Sequence, residues 1–132
     1  MTRDPTHLGD LELAILEHIW CSGGCDVKLA YRAIGEPRGI TLNTVQSAMK
    51  RLWEKDLLHR EKDGHAYFYT AAIDRRALTE RLVAELVDQV AGSQMDVALQ
   101  AFVSLAHRAG DDTLNALEEL IARRRAEEEA DS

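Results

Sequence analysis

The stretch TLNTVQSAMKRL, residues 41–52, puts Asn43, Thr44, Gln46, Ser47, Lys50 and Arg51 on one side of any helix it forms, opposite an apolar stripe. Short amides and hydroxyls at that spacing reach donors and acceptors on base edges in the DNA major groove, and the cations behind them suit phosphates. Asn or Gln can pair with adenine, while Ser and Thr can contact most bases or the thymine methyl. A plain solvated helix face is the competing account, but such a face ordinarily carries Glu, Lys and Arg. A second set, Arg60, Lys62 and His65, flanks Asp63-Gly64 and is suited to touching phosphate or the minor groove. Glu61 and Asp63 dilute its charge, and a solvated turn would look the same.

Cys21 and Cys25 bracket Ser-Gly-Gly, with His18 one turn earlier. Such a pair could form a reversible disulfide or hold a metal or an iron–sulfur cluster. Cys-x3-Cys is not the common zinc spacing, and no second pair exists to complete four ligands. His18, His7 or another subunit would have to contribute; otherwise these are two thiols at a helix end. No HExxH, glycine-rich phosphate loop, GxSxG or paired carboxylates occur, so a catalytic role is not expected.

These residues need elements to hold them. Leu8, Leu11, Ile15, Leu16, Ile19 and Trp20 recur at helical spacing. Gly9 suits the cap, and Glu12 the capping-box position. Asp26 caps a short second helix, VKLAYRAI, with Val27, Ala30 and Ile34 inward and Gly35 ending it; GEPRG is the turn. Thr41 is a natural N-cap as well as a DNA-facing residue, and Ile40 with Val45 occupies the staple positions. Leu42, Val45, Met49, Leu52 and Trp53 form the inward stripe of a helix running to about Asp56. Alternating residues either side of Asp63-Gly64 then spell a hairpin, with at least one ring of Tyr67, Phe68 and Tyr69 in the core.

Three helices and a hairpin predict a winged helix-turn-helix. Asp74 caps a helix from 75 to about 91, with Leu78, Leu82, Leu86 and Val90 along one stripe. Two further helices carry Met95, Leu99, Phe102, Val103 and Ala106, then Leu114, Leu117, Leu120 and Ile121. Their apolar faces outnumber their partners, so dimerisation is expected.

As a total, the net charge of −7 argues against a polyanionic partner, but its distribution does not. Residues 1–27 carry −4, residues 28–76 carry +4 and residues 77–132 carry −7. Association depends on the local field of the contacting face, and the basic third holds the polar helix and the hairpin. The N-terminus lacks a basic-then-apolar leader and no apolar run approaches a membrane span, which points to the cytoplasm.

From about Leu8 to Arg124 the chain resembles the penicillinase-repressor family. The resemblance rests on LGDLELAILEHIW, on TLNTVQSAMKRLWEKDLLHREKDGHAYFY and on the spacing of the C-terminal helices. Thr44, Val45, Arg51 and Leu52 fill its Thr-Val-x5-Arg-Leu pattern, followed by Lys-Asp-Leu-Leu and a Tyr-x-Tyr strand. It implies a homodimeric repressor that binds inverted-repeat operators, often with TACA/TGTA-like half-sites. Family contacts would fall on Asn43, Thr44, Gln46, Ser47 and Lys50, with Gln46 standing where a basic residue is usual. In the antibiotic-responsive members an inducing protease cuts before a Phe in the middle C-terminal helix. That bond maps to Ala101–Phe102, without the Asn that precedes Phe there. The cysteine-rich tail of the copper repressors is absent, and Cys21 and Cys25 lie outside the family pattern.

The expectation is a mainly α chain with a small β-hairpin wing. Residues 7–71 form the winged helix that reads double-stranded operator DNA, and residues 74–130 form a helical dimerisation region. Two alternatives stay open: a redox or metal sensor built on the cysteine pair, and a winged-helix adaptor that binds protein.

Overall fold

A computed structural model describes residues 8–131; His7 lies outside them. Helix α1, Asp10–Ser22, starts at Gly9 and ends where Gly23 turns left-handed at φ 87°. Strand β1, Cys25–Asp26, leads into α2, Val27–Ala30, whose first turn is capped by Asp26 Oδ1 accepting from Leu29 N at 2.8 Å. The second helix does not end at Gly35. It widens into a π-turn over Tyr31–Gly35 and tightens into a 3₁₀ turn over Glu36–Arg38, and Gly39 stops it at φ 67°.

Gly35 is helical, and its missing Cβ serves packing instead. A Cβ there would lie 2.7 Å from Val45 Cγ2 and 3.0 Å from Tyr31 Cδ1, so only glycine lets this turn close on the next helix.

That helix, α3, spans Leu42–Glu54, with Thr41 Oγ1 accepting from Thr44 N at 3.2 Å as its N-cap. It buries Val45, Ala48, Met49 and Leu52. Leu42 and Trp53, expected inside, are exposed: they sit at the edges of the stripe, where α1 and α2 no longer cover them. Lys55 ends the helix rather than Asp56, which takes a left-handed φ of 65°.

Strands β2, Leu58–Asp63, and β3, Ala66–Ala71, pair antiparallel from Leu58↔Ala71 to Asp63↔Ala66. The two-residue connection is therefore Gly64-His65, one position beyond the Asp-Gly pair that signals it in the sequence, with Gly64 at φ 66°. The sheet has a third strand the sequence reading missed. β1 pairs with β3 (Cys25↔Tyr69, Asp26↔Phe68), giving the order β1-β3-β2.

Helix α4 spans Arg75–Val90 and is capped by Asp74 Oδ1, which accepts from Ala77 N at 2.7 Å. Its first turns belong with the winged helix, because Leu78 is buried in the same core as Ile15, Leu16, Ile19, Met49 and Leu52. Trp20 Nε1 donates to Ile73 O at 2.8 Å, tying α1 to the segment before α4. Each such side chain, fully buried, contributes roughly 1.5–3 kcal/mol of transfer free energy.

The chain divides into two compact units within α4, one ending at Glu85 and the other starting at Leu86. The division thus falls inside the helix. The second unit contains α5, Met95–Ala109, and α6, Asp111–Asp131, which pack together about buried Ala98 and Ala106 on α5. Met95, Leu99 and Val103, part of the apolar face for which the sequence offers too few partners, are exposed in the single chain. No helix among the described residues is long and apolar enough to cross a membrane.

Candidate nucleic-acid interface

The outer face of α3 is built as the sequence suggests. Asn43, Thr44, Gln46, Ser47 and Lys50 are exposed, while Val45, Ala48 and Met49 behind them are buried. Spacings of three and four residues stack Asn43, Gln46, Ser47 and Lys50 on adjoining rows. The Thr41 and Thr44 hydroxyls lie 2.9 Å apart and are partly committed to the helix start, which pre-orders the first turn. Such a turn presents amide and hydroxyl groups on a rigid support, as base reading requires.

Arg51, half exposed, also makes a contact within the chain. Its Nε donates to Glu12 Oε1 at 3.4 Å, and Lys55 Nζ donates to Glu12 Oε2 at 3.0 Å. Glu12 is 8% exposed, so this buried carboxylate clamps the last turn of α3 to α1. The capping-box role read from its position is not taken up, because two cations reach it from the other helix. Arg60 is likewise engaged within the chain. Its guanidinium lies 3.5 Å from the centroid of Trp53 and 4.1 Å from that of Tyr67, a cation held between the end of α3 and the hairpin. Lys62 and His65 are left at the exposed turn of the wing.

Between α3, the start of α2 and the wing runs a groove of about 330 Å³, lined by Lys28, Leu42, Gln46, His65 and Tyr67 among others. Lys28 and Leu42 were absent from the sequence-derived set. A basic outward face on the second helix could have pointed to Lys28. Leu42 was hidden because its spacing fits the core stripe. Asp26 also lines the groove, and its Oδ1 accepts from the backbone of Leu29.

The cysteines do not come together as a ligand site. Cys21 is exposed in the last turn of α1, whereas Cys25 is buried in β1. Burial, reinforced by the adjacent Asp26 charge, pushes the Cys25 thiol up to about 11. Metal binding and thiol exchange both use the thiolate, so a sequestered neutral thiol does not fit either role. His18 is half-buried on α1, and no group of three or more His, Cys, Asp or Glu suited to a metal occurs among the described residues.

Ala101 and Phe102 lie mid-way along α5, and Phe102 lines an apolar cleft of about 470 Å³ between α5 and α6 with Leu105, Leu117 and Leu120. The bond between them is helical. Cleavage favours exposed loop tips, so this segment must unwind before a protease can cut it.

Comparison with known proteins agrees with this fold. The penicillinase repressor family profile matches residues 8–123. The transcriptional regulator BlaI of Mycobacterium tuberculosis, in strains CDC 1551 and H37Rv, is 30% identical over 118 residues, 89% of this chain and 84% of the relative. The solution structure of the DNA binding domain of the repressor BlaI superposes with a TM-score of 0.50 at 23% identity, covering 56% of this chain and 90% of that one. The latter establishes a shared winged-helix fold. Together with the profile and the full-length relative, it places this chain in the penicillinase repressor family of winged-helix transcriptional regulators.

Proposed function

We propose that the protein is a homodimeric repressor that occupies an inverted-repeat operator. Each α3 enters a major groove, and Lys62 and His65 of the wing reach the flanking backbone. The observation that carries this reading is the exposed Asn43–Thr44–Gln46–Ser47 surface on a capped, core-anchored helix, followed by Lys50. Dimerisation is supported by the second unit, where Leu86, Val90, Leu99, Val103 and Leu120 are all exposed in the single chain. Family membership and the +4 charge of residues 28–76 support DNA as the partner.

Selection of genomic fragments bound by the full-length protein identifies the operator. On that duplex, Gln46→Ala is expected to weaken binding by roughly 1–3 kcal/mol and relax one base preference. Its affinity should otherwise fall steeply with salt, as counterion release demands. Wild-type protein that enriches no sequence, or a Gln46→Ala variant with an unchanged preference, would refute the assignment.

A further inference from the structure

Leu42 occupies the first position of α3 and is 40% exposed, although its spacing belongs to the apolar stripe. Isolated exposed leucines are common and mean little by themselves. This one stands one turn before Gln46 and lines the same groove, and on a helix residues four apart are neighbours. The other large apolar residue exposed on α3, Trp53, is accounted for by the Arg60 guanidinium stacked on it. The first turn of a recognition helix is the part that approaches base edges most closely. In the major groove, the one apolar feature that distinguishes a base is the thymine C5-methyl.

We infer that Leu42 is a specificity-determining residue that packs on a thymine methyl beside the base pair read by Gln46. This rests on the proposed DNA-reading role of α3 and adds a base to it. The pairing is chemically complementary: the amide of Gln46 suits adenine, and the apolar branch of Leu42 suits a neighbouring thymine. Each half-site should therefore contain one thymine whose methyl group matters, placed next to the position that Gln46→Ala relaxes.

The experiment uses the full-length protein and its selected operator, with each thymine replaced in turn, symmetrically in both half-sites, by deoxyuridine. The replacement removes the methyl and leaves base pairing intact. At one position the wild type should lose affinity by about three- to fivefold per half-site, the fold-change for one buried methylene-sized group. Leu42→Ala should bind the thymine and uracil duplexes equally, while Gln46→Ala should keep the uracil penalty. Leu42→Met, which retains an apolar side chain, should keep part of it, and circular dichroism of both Leu42 variants should match the wild type. A wild type that binds its operator but ignores every uracil replacement overturns the Leu42 assignment alone, as does a Leu42→Ala variant with the full penalty. A wild type with no sequence preference overturns the DNA-reading role beneath it.

Discussion

Charge by itself does not reveal what a cation does. Lys50, Arg51, Arg60 and Lys62 look alike in the sequence, each placed to meet phosphate. In the fold, Arg51 pairs with Glu12 while half of its side chain stays exposed, Arg60 is stacked between Trp53 and Tyr67, and Lys50 and Lys62 lie exposed. Arg60 thereby fixes the hairpin to the end of α3, a planar role that an ammonium cannot reproduce. Arg60→Lys should lower the stability of the winged helix by about 0.5–1 kcal/mol in urea denaturation and alter Trp53 emission, although the charge is retained. Unchanged stability and emission, with normal operator affinity, would show that Arg60 acts as a mere charge. The Glu12 pairing was not legible because the partners are remote: Glu12 lies 39 residues from Arg51 and 43 from Lys55. The exposure of the α3 amides and hydroxyls was legible, since it depends only on helical spacing within one segment.

Elements defined by local chemistry were visible in the sequence. The caps at Asp26, Thr41 and Asp74 each accept the expected backbone N–H, and the hairpin turns at Gly64. What escaped notice is non-local. β1 is two residues long and exists only because Cys25 and Asp26 find Tyr69 and Phe68 across the sheet, more than forty positions along the chain. The π-turn ends at Gly35, whose close approach to Val45 no helical pattern announces.

The burial of Cys25 in β1 has a measurable consequence. Its thiol is pushed from about 9 to about 11, so between those values the unfolded chain releases a proton that the folded chain retains. The stabilising contribution is complete below pH 9 and lost as pH rises through 11, at most roughly 2–3 kcal/mol for a two-unit shift. Chemical denaturation at pH 8 and pH 10.5 should show a steeper loss for wild type than for Cys25→Ala, which has no thiol to titrate. Identical pH slopes would mean that the thiol is not sequestered. At pH 8, a maleimide should label Cys21 and spare Cys25.

At the scale of the whole molecule, charge and apolar surface are separated along the chain. The basic third holds α3 and the wing, whereas residues 77–132 carry −7 and cannot favour DNA. The second unit instead exposes leucine and valine on α5 and α6, with Leu99 and Val103 four residues apart on one face of α5. Small helical units with so much uncovered apolar surface gain stability by association. Burying that surface against a second copy would also join two reading helices, so that the second half-site is bound intramolecularly. Introducing Leu99→Arg and Val103→Arg together should convert the proposed dimer to a monomer in sedimentation velocity, because two desolvated cations oppose the interface. The winged-helix unit should stay folded, since neither residue belongs to its core. Affinity for the full operator should fall by roughly a hundredfold or more as avidity is lost, while binding to an isolated half-site should be little changed. A double variant that still sediments as a dimer would place the interface elsewhere. One that is monomeric yet binds the full operator normally would show that each winged helix acts alone.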